Sequence, residues 1–236
     1  MSANSQPVID AIQGAVGLYS LQEAAYYARI PENTLRYWFL GRGDYQPVRT
    51  PSVDREGIPY LSFQDFIESL AIRFLRVEKK VQMKEIRDSI LRAQDEHGIE
   101  YPFSDRRHKL AIDKVDRSLH IYINREGDPF KLAGSNIGQR GIQKILEPYM
   151  NDLLFDDEDF LARQYRAYTS GGRNVIMNPR FLFGQPKVEN SPYSARALWE
   201  SYIAEGGIDY VCDYYDVSRS VVELSCEYCQ HVGIAA

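Results

Sequence analysis

Residues 18–66 read LYSLQEAAYYARIPENTLRYWFLGRGDYQPVRTPSVDREGIPYLSFQDF. Ser20 and Glu23 have the S-x-x-E spacing of a capping box, in which both side chains accept hydrogen bonds from backbone amides at a helix start. The box predicts a helix over Leu21–Ala28. Pro31 ends this helix and begins a second one, because proline is tolerated in the first helical turn but not inside a helix. The stretch therefore opens with two short helices joined by a tight turn.

The second predicted helix carries polar and aromatic side chains that suit contact with DNA. Leu35 and Trp38, on the same helix, are predicted to be core residues. Side chains of the remaining face can donate hydrogen bonds to base edges and phosphates in a major groove. Four of them are predicted to contact DNA: Asn33, Thr34, Arg36 and Tyr37.

A β-wing is predicted to follow, because residues 41–60 are rich in glycine, proline and arginine and contain a turn at residues 54–57. Arg49 and Arg55 lie on this wing and are predicted to contact phosphates, which position a protein on DNA without reading its sequence. Residues 29–55 carry five arginines against three carboxylates, a balance that suits phosphate. Helix, turn, helix and wing together predict a winged helix-turn-helix.

Length and composition restrict the class of protein. With 236 residues the chain can form two small domains with cores. It has no signal-peptide pattern and no apolar run near the roughly 20 residues of a membrane span, so a cytoplasmic location without membrane contact is expected. Three cysteines, an odd number, do not form a secreted disulfide framework. A net charge of −5 argues against a protein that coats nucleic acid.

Two amphipathic helices are predicted after the wing, one beginning after Ser62 and one over residues 82–96. Beyond Gly98 the periodicity changes and predicts a small central sheet. Its elements are strands over residues 119–123, 129–133 and 160–168, with a helix over residues 142–153. Residues 170–172, Ser-Gly-Gly, mark the predicted boundary before the last part of the chain.

The last part is predicted to form three short helices, over residues 194–204, 209–215 and 219–230. From residue 175 onward, four Lys and Arg residues face eight carboxylates, which suits a cationic protein surface. Tyr and Trp are enriched at interface hot spots, although packing in a three-helix core is the alternative use for them. Six aromatic residues are predicted to contact a protein partner: Tyr193, Trp199, Tyr202, Tyr210, Tyr214 and Tyr215.

Two further patterns suggest metal or catalytic chemistry only weakly. Cys226 and Cys229, with Cys212 and His231, resemble zinc ligands, but the first two lie one turn apart on a predicted helix rather than on converging loops. The acidic run at residues 156–159 has no second carboxylate cluster or nucleophile beside it, and the four histidines lack triad or ligand spacing. We therefore predict no metal, no cofactor and no enzymatic activity.

Four short blocks of the first hundred residues resemble the DNA-binding domain of MerR-type regulators. They are LYSL at residues 18–21, TLRYW at 34–38, YLS at 60–62 and MKEI at 83–86. The Leu-Arg-Tyr-aromatic run is the most specific of these. MerR-type regulators usually continue into a long dimerising helix, whereas the helical pattern here stops at Gly98.

The end of the chain resembles a C-terminal antitoxin domain long catalogued only as a domain of unknown function. The similarity lies in VIMNP at residues 175–179 and FGQPKV at 183–188, followed by Trp199 and the glycine pair at residues 206–207. A chain that combines these two domains resembles the VapB-type antitoxins. This resemblance implies a PIN-like ribonuclease toxin as the partner, encoded by the neighbouring gene.

We therefore expect an α+β, mainly helical protein in three parts. Residues 1–98 form a MerR-like winged helix-turn-helix, residues 99–172 a small α+β region, and residues 173–236 an antitoxin domain built as a three-helix bundle. The first hypothesis is an antitoxin that represses its own operon as a homodimer on operator double-stranded DNA. It also neutralises a PIN-like ribonuclease, in a higher hetero-oligomer with that toxin. The alternative is a one-component MerR-like regulator in which residues 101–168 bind a small ligand.

Overall fold

The structure, a computed structural model, describes residues 18–54, 56–112, 119–125, 128–132, 143–144 and 147–233. These residues combine helices with three small sheets, which confirms the predicted mixture of helix and strand. The chain divides into two compact units, each assembled from separate stretches of sequence. The first unit takes in the described parts of Met1–Glu32, Ser52–Phe63 and Arg163–Ala236, and the second those of Asn33–Pro51 and Gln64–Ala162. The functional limits at residues 98 and 172 stay a prediction.

The first unit begins with strand β1 (Tyr19–Ser20) and helix α1 (Leu21–Ala28). The Glu23 amide donates to the Ser20 hydroxyl at 3.2 Å, and the Ser20 amide donates to the Glu23 carboxylate at 3.0 Å. This reciprocal pair confirms the capping box. Helix α1 ends where Arg29 takes a left-handed backbone conformation, with φ of 54°.

A three-stranded antiparallel sheet completes this part of the unit. Strand β2 (Ser52–Val53) pairs with β3 (Pro59–Leu61), and β3 pairs in turn with β1. Between β2 and β3 the Asp54 carboxylate accepts hydrogen bonds from the amides of Glu56 and Ile58, both at 2.8 Å. An aspartate that binds amides two and four residues ahead holds a tight turn. The predicted turn at the tip is therefore present.

The second unit contains most of helix α2 (Glu32–Leu40), most of helix α3 (Phe63–Val77) and all of helix α4 (Met83–His97). The apolar positions of α3 are buried, as the predicted spacing requires: Phe63, Phe66, Ile67, Leu70, Ala71, Phe74 and Leu75. The polar residues near its start, Gln64, Asp65, Glu68 and Ser69, are buried as well, so this part of α3 lacks the exposed polar face that the amphipathic pattern predicted. Helix α4 ends at Gly98, whose φ of 65° is a left-handed conformation that favours glycine. No helix in the described part of the chain is long and apolar enough to cross a membrane.

Four strands form an antiparallel sheet in the second unit, in the order β6–β5–β4–β7. They are β4 (His108–Ile112), β5 (Leu119–Arg125), β6 (Asp128–Leu132) and β7 (Gln143–Lys144). The helix predicted over residues 142–153 is wrong. That stretch contains β7, the single turn α5 (Glu147–Met150) and the start of β8 (Leu153–Phe155). Pro148 lacks the amide hydrogen that the interior of a longer helix requires.

In the first unit, β9 (Ala162–Ser170) pairs with β10 (Arg173–Met177), which pairs with β11 (Lys187–Val188). The prediction that residues 160–168 pair in the central sheet is therefore wrong. Gly171 and Gly172, with φ of 56° and 74°, allow a tight turn that brings β10 back onto β9. Such a short loop closes at a smaller entropic cost than a distant pairing.

Three helices follow: α6 (Ala195–Glu205), α7 (Ile208–Tyr215) and α8 (Arg219–Val232), with bounds close to those predicted. The Ser194 hydroxyl caps α6 by accepting a hydrogen bond from the Ala197 amide at 3.1 Å. These helices share one core with strands β10 and β11. Its largest contributors are Val175, Val188, Leu198, Trp199, Val211, Val222, Leu224 and Tyr228.

Candidate functional sites

Helix α2 presents the side chains that were predicted to contact DNA. Asn33 and Arg36 are exposed, and Thr34 and Tyr37 are half-buried. The other face of α2 is apolar, and Leu35 and Trp38 are buried, which confirms them as core residues. The helix therefore keeps a polar face accessible to a ligand, and contact of that face with DNA stays a prediction.

Tyr37 stands beside two residues that sequence reasoning missed. The rings of Tyr37 and Tyr45 meet edge to face with centroids 6.2 Å apart. The guanidinium carbon of Arg87, on α4, lies 5.5 Å from the Tyr37 centroid and 5.8 Å from that of Tyr45. Nε and Nη2 of Arg87 are buried without a hydrogen-bond partner in the described residues, so the ring faces supply their electrostatic stabilisation.

The loop after α2 sets the position of Tyr45. Arg42 and Tyr45 exchange two backbone hydrogen bonds of 3.1 Å, which close a tight turn. Gly41 precedes this turn with φ of 75°, and a Cβ there would lie 2.7 Å from the Tyr45 carbonyl oxygen. The turn borders an open cavity of about 440 Å³ beside α2. Its lining residues are Tyr37, Arg42, Gly43, Asp44 and Tyr45.

Arg49, predicted to contact phosphate, has protein partners instead. Its Nε donates to the Asp65 carboxylate at 2.7 Å, and its two terminal nitrogens donate to the carboxylate and the carbonyl oxygen of Glu100. The guanidinium lies 4.1 Å above the Tyr101 ring, and the side chain is 10% exposed. Burial by itself lowers the pKa of Arg49, but the Asp65 carboxylate and Tyr101 raise it by a larger amount. The pKa of Arg49 therefore lies above its usual value. We therefore leave Arg49 out of the proposed DNA surface; Arg55 lies outside the described residues.

Glu68, on α3, is a buried carboxyl group near this ion pair. One of its oxygens accepts hydrogen bonds from the amides of Phe103 and Ser104, both at 2.8 Å. Burial raises the pKa of Glu68 to about 8, although the Arg49 charge and the two amides oppose the shift. The carboxyl group is therefore largely protonated at neutral pH.

The six aromatic residues predicted to contact a partner fall into three groups by exposure. Trp199 is buried in the core, while Tyr193, Tyr202 and Tyr215 are half-buried. Tyr210 and Tyr214, on α7, are 46% and 69% exposed. Their rings are stacked, with centroids 5.8 Å apart and planes within 10°. Tyr210 and Tyr214 therefore form the accessible part of the predicted set, and Trp199 serves the core.

Acidic residues flank this exposed pair of rings in sequence, on α7 and at its C-cap. Asp209, Asp213 and Asp216 are all exposed. Asp209 accepts a hydrogen bond from Arg219, which also lies 4.0 Å from Glu223. We call Tyr210 and Tyr214 with Asp213 and Asp216 the acidic tyrosine surface.

The possible zinc ligands do not come together. The described residues contain no group of three or more His, Cys, Asp or Glu side chains placed to hold a metal ion. Burial raises the pKa of the Cys226 thiol to about 11 and that of Cys229 to about 12. The Nε2 atom of His231 lies 3.0 Å from a terminal nitrogen of Arg29, and the imidazole ring packs against the ring of Tyr168. These groups serve the core and the surface of the unit.

Sequence reasoning also missed an exposed apolar loop. We call Phe181, Leu182 and Phe183 the aromatic loop; these side chains are 48%, 37% and 65% exposed. Three consecutive exposed apolar residues are the available sequence signal, but they lie in a turn-rich stretch without helical or strand periodicity. Only the structure shows that none of them points into a core.

Comparison with known proteins gives two similarities. No family model matches the chain. Over 221 residues it is 27% identical to "Putative antitoxin VapB45" of Mycobacterium tuberculosis (strain ATCC 25618 / H37Rv), covering 86% of this chain and 90% of that protein. The fold of the present chain is similar to that of the crystal structure of Rv2018 from Mycobacterium tuberculosis, with a TM-score of 0.58. The two chains are 23% identical, and the match covers 89% of this chain and 97% of the other. The first similarity supports the predicted resemblance to VapB-type antitoxins, and the second concerns the fold.

Proposed function

We propose that the protein is the antitoxin of a type II toxin–antitoxin system. The observation that carries the proposal is the similarity to a protein named as an antitoxin, which extends over most of both chains. A match confined to one domain would leave the activity of the rest open, whereas this one spans both compact units. The protein acts by binding, in the cytoplasm, and has no catalytic role.

The DNA-binding arm of the proposal rests on the sequence of residues 18–62, taken as a MerR-like winged helix-turn-helix, and on the polar face of α2. The chain binds operator DNA as a homodimer and represses its own operon. Arg36 and Asn33 are the exposed side chains of α2 that reach base edges, since arginine and asparagine make the common specific contacts with guanine and adenine. Tyr37, held by Arg87, contacts the backbone and fixes the position of the helix.

The toxin-binding arm rests on the C-terminal helices, taken as an antitoxin domain. A ribonuclease carries basic surface to hold its RNA substrate. The acidic tyrosine surface is complementary to it in charge, and its two stacked rings supply aromatic anchors of the kind that dominate interfaces. The partner in this proposal is the PIN-like ribonuclease that the resemblance to VapB-type antitoxins implies. It is neutralised within a hetero-oligomeric complex of at least about 1,200 Å² of buried surface.

Co-expression with the nuclease encoded by the adjacent gene tests the toxin arm. The intact chain rescues growth, and the double variant Tyr210→Ala with Tyr214→Ala loses rescue. Tyr26→Ala is the matched control, because Tyr26 is 42% exposed and lies in the same compact unit. The experiment uses the full chain and not one truncated before the C-terminal helices. Residues 171–172 are the turn of a β-hairpin, so truncation at this boundary would remove strands that pair with β9. Failure of the intact chain to rescue growth contradicts the antitoxin proposal.

Titration of the full chain against DNA from upstream of its own gene tests the DNA arm. Arg36→Ala weakens binding by about 1–3 kcal/mol, or roughly 5- to 150-fold, the range of one good side-chain-to-base contact. Arg219→Ala is the control, because it removes the same charge from α8. Arg36→Ala still rescues growth, since inhibition does not need the operator. Unchanged DNA binding by Arg36→Ala would contradict the proposal that α2 lies in the major groove.

The alternative, a regulator that senses a small ligand through residues 101–168, predicts a different pair of results. The chain then binds its upstream DNA but does not protect cells from the nuclease. DNA affinity in that case changes on addition of a small molecule and not on addition of the nuclease.

A further inference from the structure

The aromatic loop has an unusual backbone conformation. Leu182 and Phe183 have φ of 49° and 53°, and Gly184 follows with φ of 85°. Left-handed conformations are unfavourable for residues with a side chain, and two in succession without glycine are rare. Strain of this kind persists only where surrounding contacts fix it, and it is concentrated at functional positions.

Contacts within the same compact unit hold the loop at both ends. The Phe181 amide donates to the Asn178 carbonyl, and the Gly184 amide donates to the Phe181 carbonyl, both at 2.9 Å. The Tyr19 hydroxyl donates to the Gly184 carbonyl at 2.8 Å. The ammonium of Lys187 lies 4.9 Å from the centroid of the Phe181 ring. The fold therefore fixes the loop while leaving its apolar side chains exposed, and a fixed loop loses less entropy on binding.

The segment of sequence that contains the loop is basic, whereas the helices that follow are acidic. Residues 160–188 contain no Asp or Glu and five basic residues: Arg163, Arg166, Arg173, Arg180 and Lys187. Arg180, which directly precedes the loop, is exposed, as is Arg173 at the hairpin of β9 and β10, whereas Lys187 is buried. From Glu189 onward the sequence has eight carboxylates and two arginines. One unit of the protein thus offers a basic apolar element and an acidic aromatic one.

A basic apolar loop and an acidic tyrosine surface in one unit suit a partner that itself has two oppositely charged regions. A metal-dependent nuclease holds its metal ions with clustered carboxylates and carries basic surface for RNA around them. The acidic tyrosine surface suits the basic region. A basic apolar loop suits an apolar pocket bordered by carboxylates.

We infer that the aromatic loop is a second docking element for the toxin, inserting Phe183 into an apolar pocket at the edge of the carboxylate cluster. The inference rests on the proposed function, because it takes the nuclease as the partner. Phe183 is the anchor, since its ring is the most exposed of the three. Arg180 supports it by facing the carboxylates.

Inhibition of purified nuclease by the purified full chain tests this inference. Phe183→Ala raises the inhibition constant at least about 30-fold, as truncation of an interface anchor does. Phe183→Leu recovers part of the affinity because it restores apolar area. Phe183→Asn is as weak as Phe183→Ala, although asparagine tolerates the left-handed backbone, so the ring and not the strain is responsible. Arg180→Gln weakens inhibition less, and its effect shrinks with added salt.

The matched control is Leu154→Ala, which removes an apolar side chain of similar exposure, 61% against 65%, from the other compact unit. Its inhibition constant stays at the wild-type value. Thermal unfolding of every variant is measured beside inhibition, so that loss of fold is separated from loss of contact. If wild type inhibits the nuclease and Phe183→Ala inhibits it equally, the inference is overturned and the proposed function stands. If wild type does not inhibit, the proposed function itself fails.

Two further measurements locate the occupant. A photoreactive phenylalanine analogue in place of Phe183 crosslinks to nuclease peptides that carry the metal-binding carboxylates; crosslinks confined to other peptides overturn the assignment. A labelled 12-nucleotide single-stranded RNA is titrated against the free chain, because basic surface with exposed aromatics also suits nucleic acid. RNA binding that depends on Phe183 as strongly as inhibition does would overturn the protein-docking assignment.

Discussion

The hydroxyl group of Tyr19 donates a hydrogen bond of 2.8 Å to the carbonyl oxygen of Gly184, 165 residues further along the chain. Tyr19 is 1% exposed, and burial raises its pKa well above the usual value of a phenol. A Cβ at position 184 would lie 2.2 Å from the Tyr19 hydroxyl oxygen. This one contact joins the strand before α1 to the end of the aromatic loop.

Tyr19→Phe lowers the free energy of unfolding by about 1–2 kcal/mol, because it leaves the buried Gly184 carbonyl without this donor. Tyr26→Phe, on the exposed side of α1, changes stability by less than about 0.5 kcal/mol. Urea unfolding of the two variants measures the difference. Equal stabilities would show that the hydrogen bond contributes nothing.

Gly184→Ala destabilises the protein more, by about 2 kcal/mol or more, since the new Cβ meets the Tyr19 hydroxyl and the backbone has positive φ. Combining it with Tyr19→Phe recovers part of the loss, because the atom that clashes is absent. A double-mutant cycle therefore gives a coupling energy of roughly 1 kcal/mol. Strict additivity of the two changes contradicts the clash.

Glu68 makes stability depend on pH. Its pKa is 4.5 as a free side chain and about 8 in the folded chain, so between these values the folded state holds more protons than the unfolded state. Stability contributed by the protonated group is present below about pH 5 and is lost as the pH rises through 8, by roughly 2–4 kcal/mol. Glu68→Gln, which keeps an acceptor for the two amides, removes this slope.

Urea midpoints of wild type and Glu68→Gln between pH 5 and 8.5 check the effect. The exposed Glu100 supplies the control variant Glu100→Gln, which retains the wild-type slope. Parallel pH profiles of wild type and Glu68→Gln would show that Glu68 keeps an ordinary pKa in the folded chain.

Arg49→Ala lowers stability by about 3 kcal/mol, because it removes the buried ion pair with the Asp65 carboxylate. Its effect on DNA binding at low temperature, where the chain stays folded, is small, and the salt dependence of binding keeps its slope. Arg36→Ala gives the reverse result, with normal stability and weak DNA binding. A reduced salt slope for Arg49→Ala would return this residue to the phosphate contacts.

Cys226 and Cys229 react slowly with DTNB in the folded protein at pH 8, because their buried thiols have raised pKa values and remain protonated. In urea all three cysteines of the chain react at once. Cys212→Ser removes the half-buried thiol and leaves almost no fast reaction in the folded state. Rapid modification of two thiols in folded Cys212→Ser would contradict the burial.

Short-range patterns predicted the helices well. The capping box of Ser20 and Glu23 gave the start of α1, and the spacing of apolar residues gave the buried face of α3. Each of these signals lies within a few residues of the structure it specifies. The prediction of a helix over residues 142–153 was wrong because apolar spacing alone takes no account of Pro148. The prediction that residues 160–168 join the central sheet was wrong because an alternating pattern does not specify which strand is the pairing partner.

The sequence by itself determined most of the helices, the two-helix turn with its polar face, and the charge difference between the two ends of the chain. The tertiary structure alone decided the use of individual side chains. It paired Arg49 with Asp65, placed Arg87 against Tyr37, buried Trp199 and left the aromatic loop exposed. The physical reason is distance. Capping and periodicity act between near neighbours, whereas burial and ion pairing depend on residues that only the folded chain brings together.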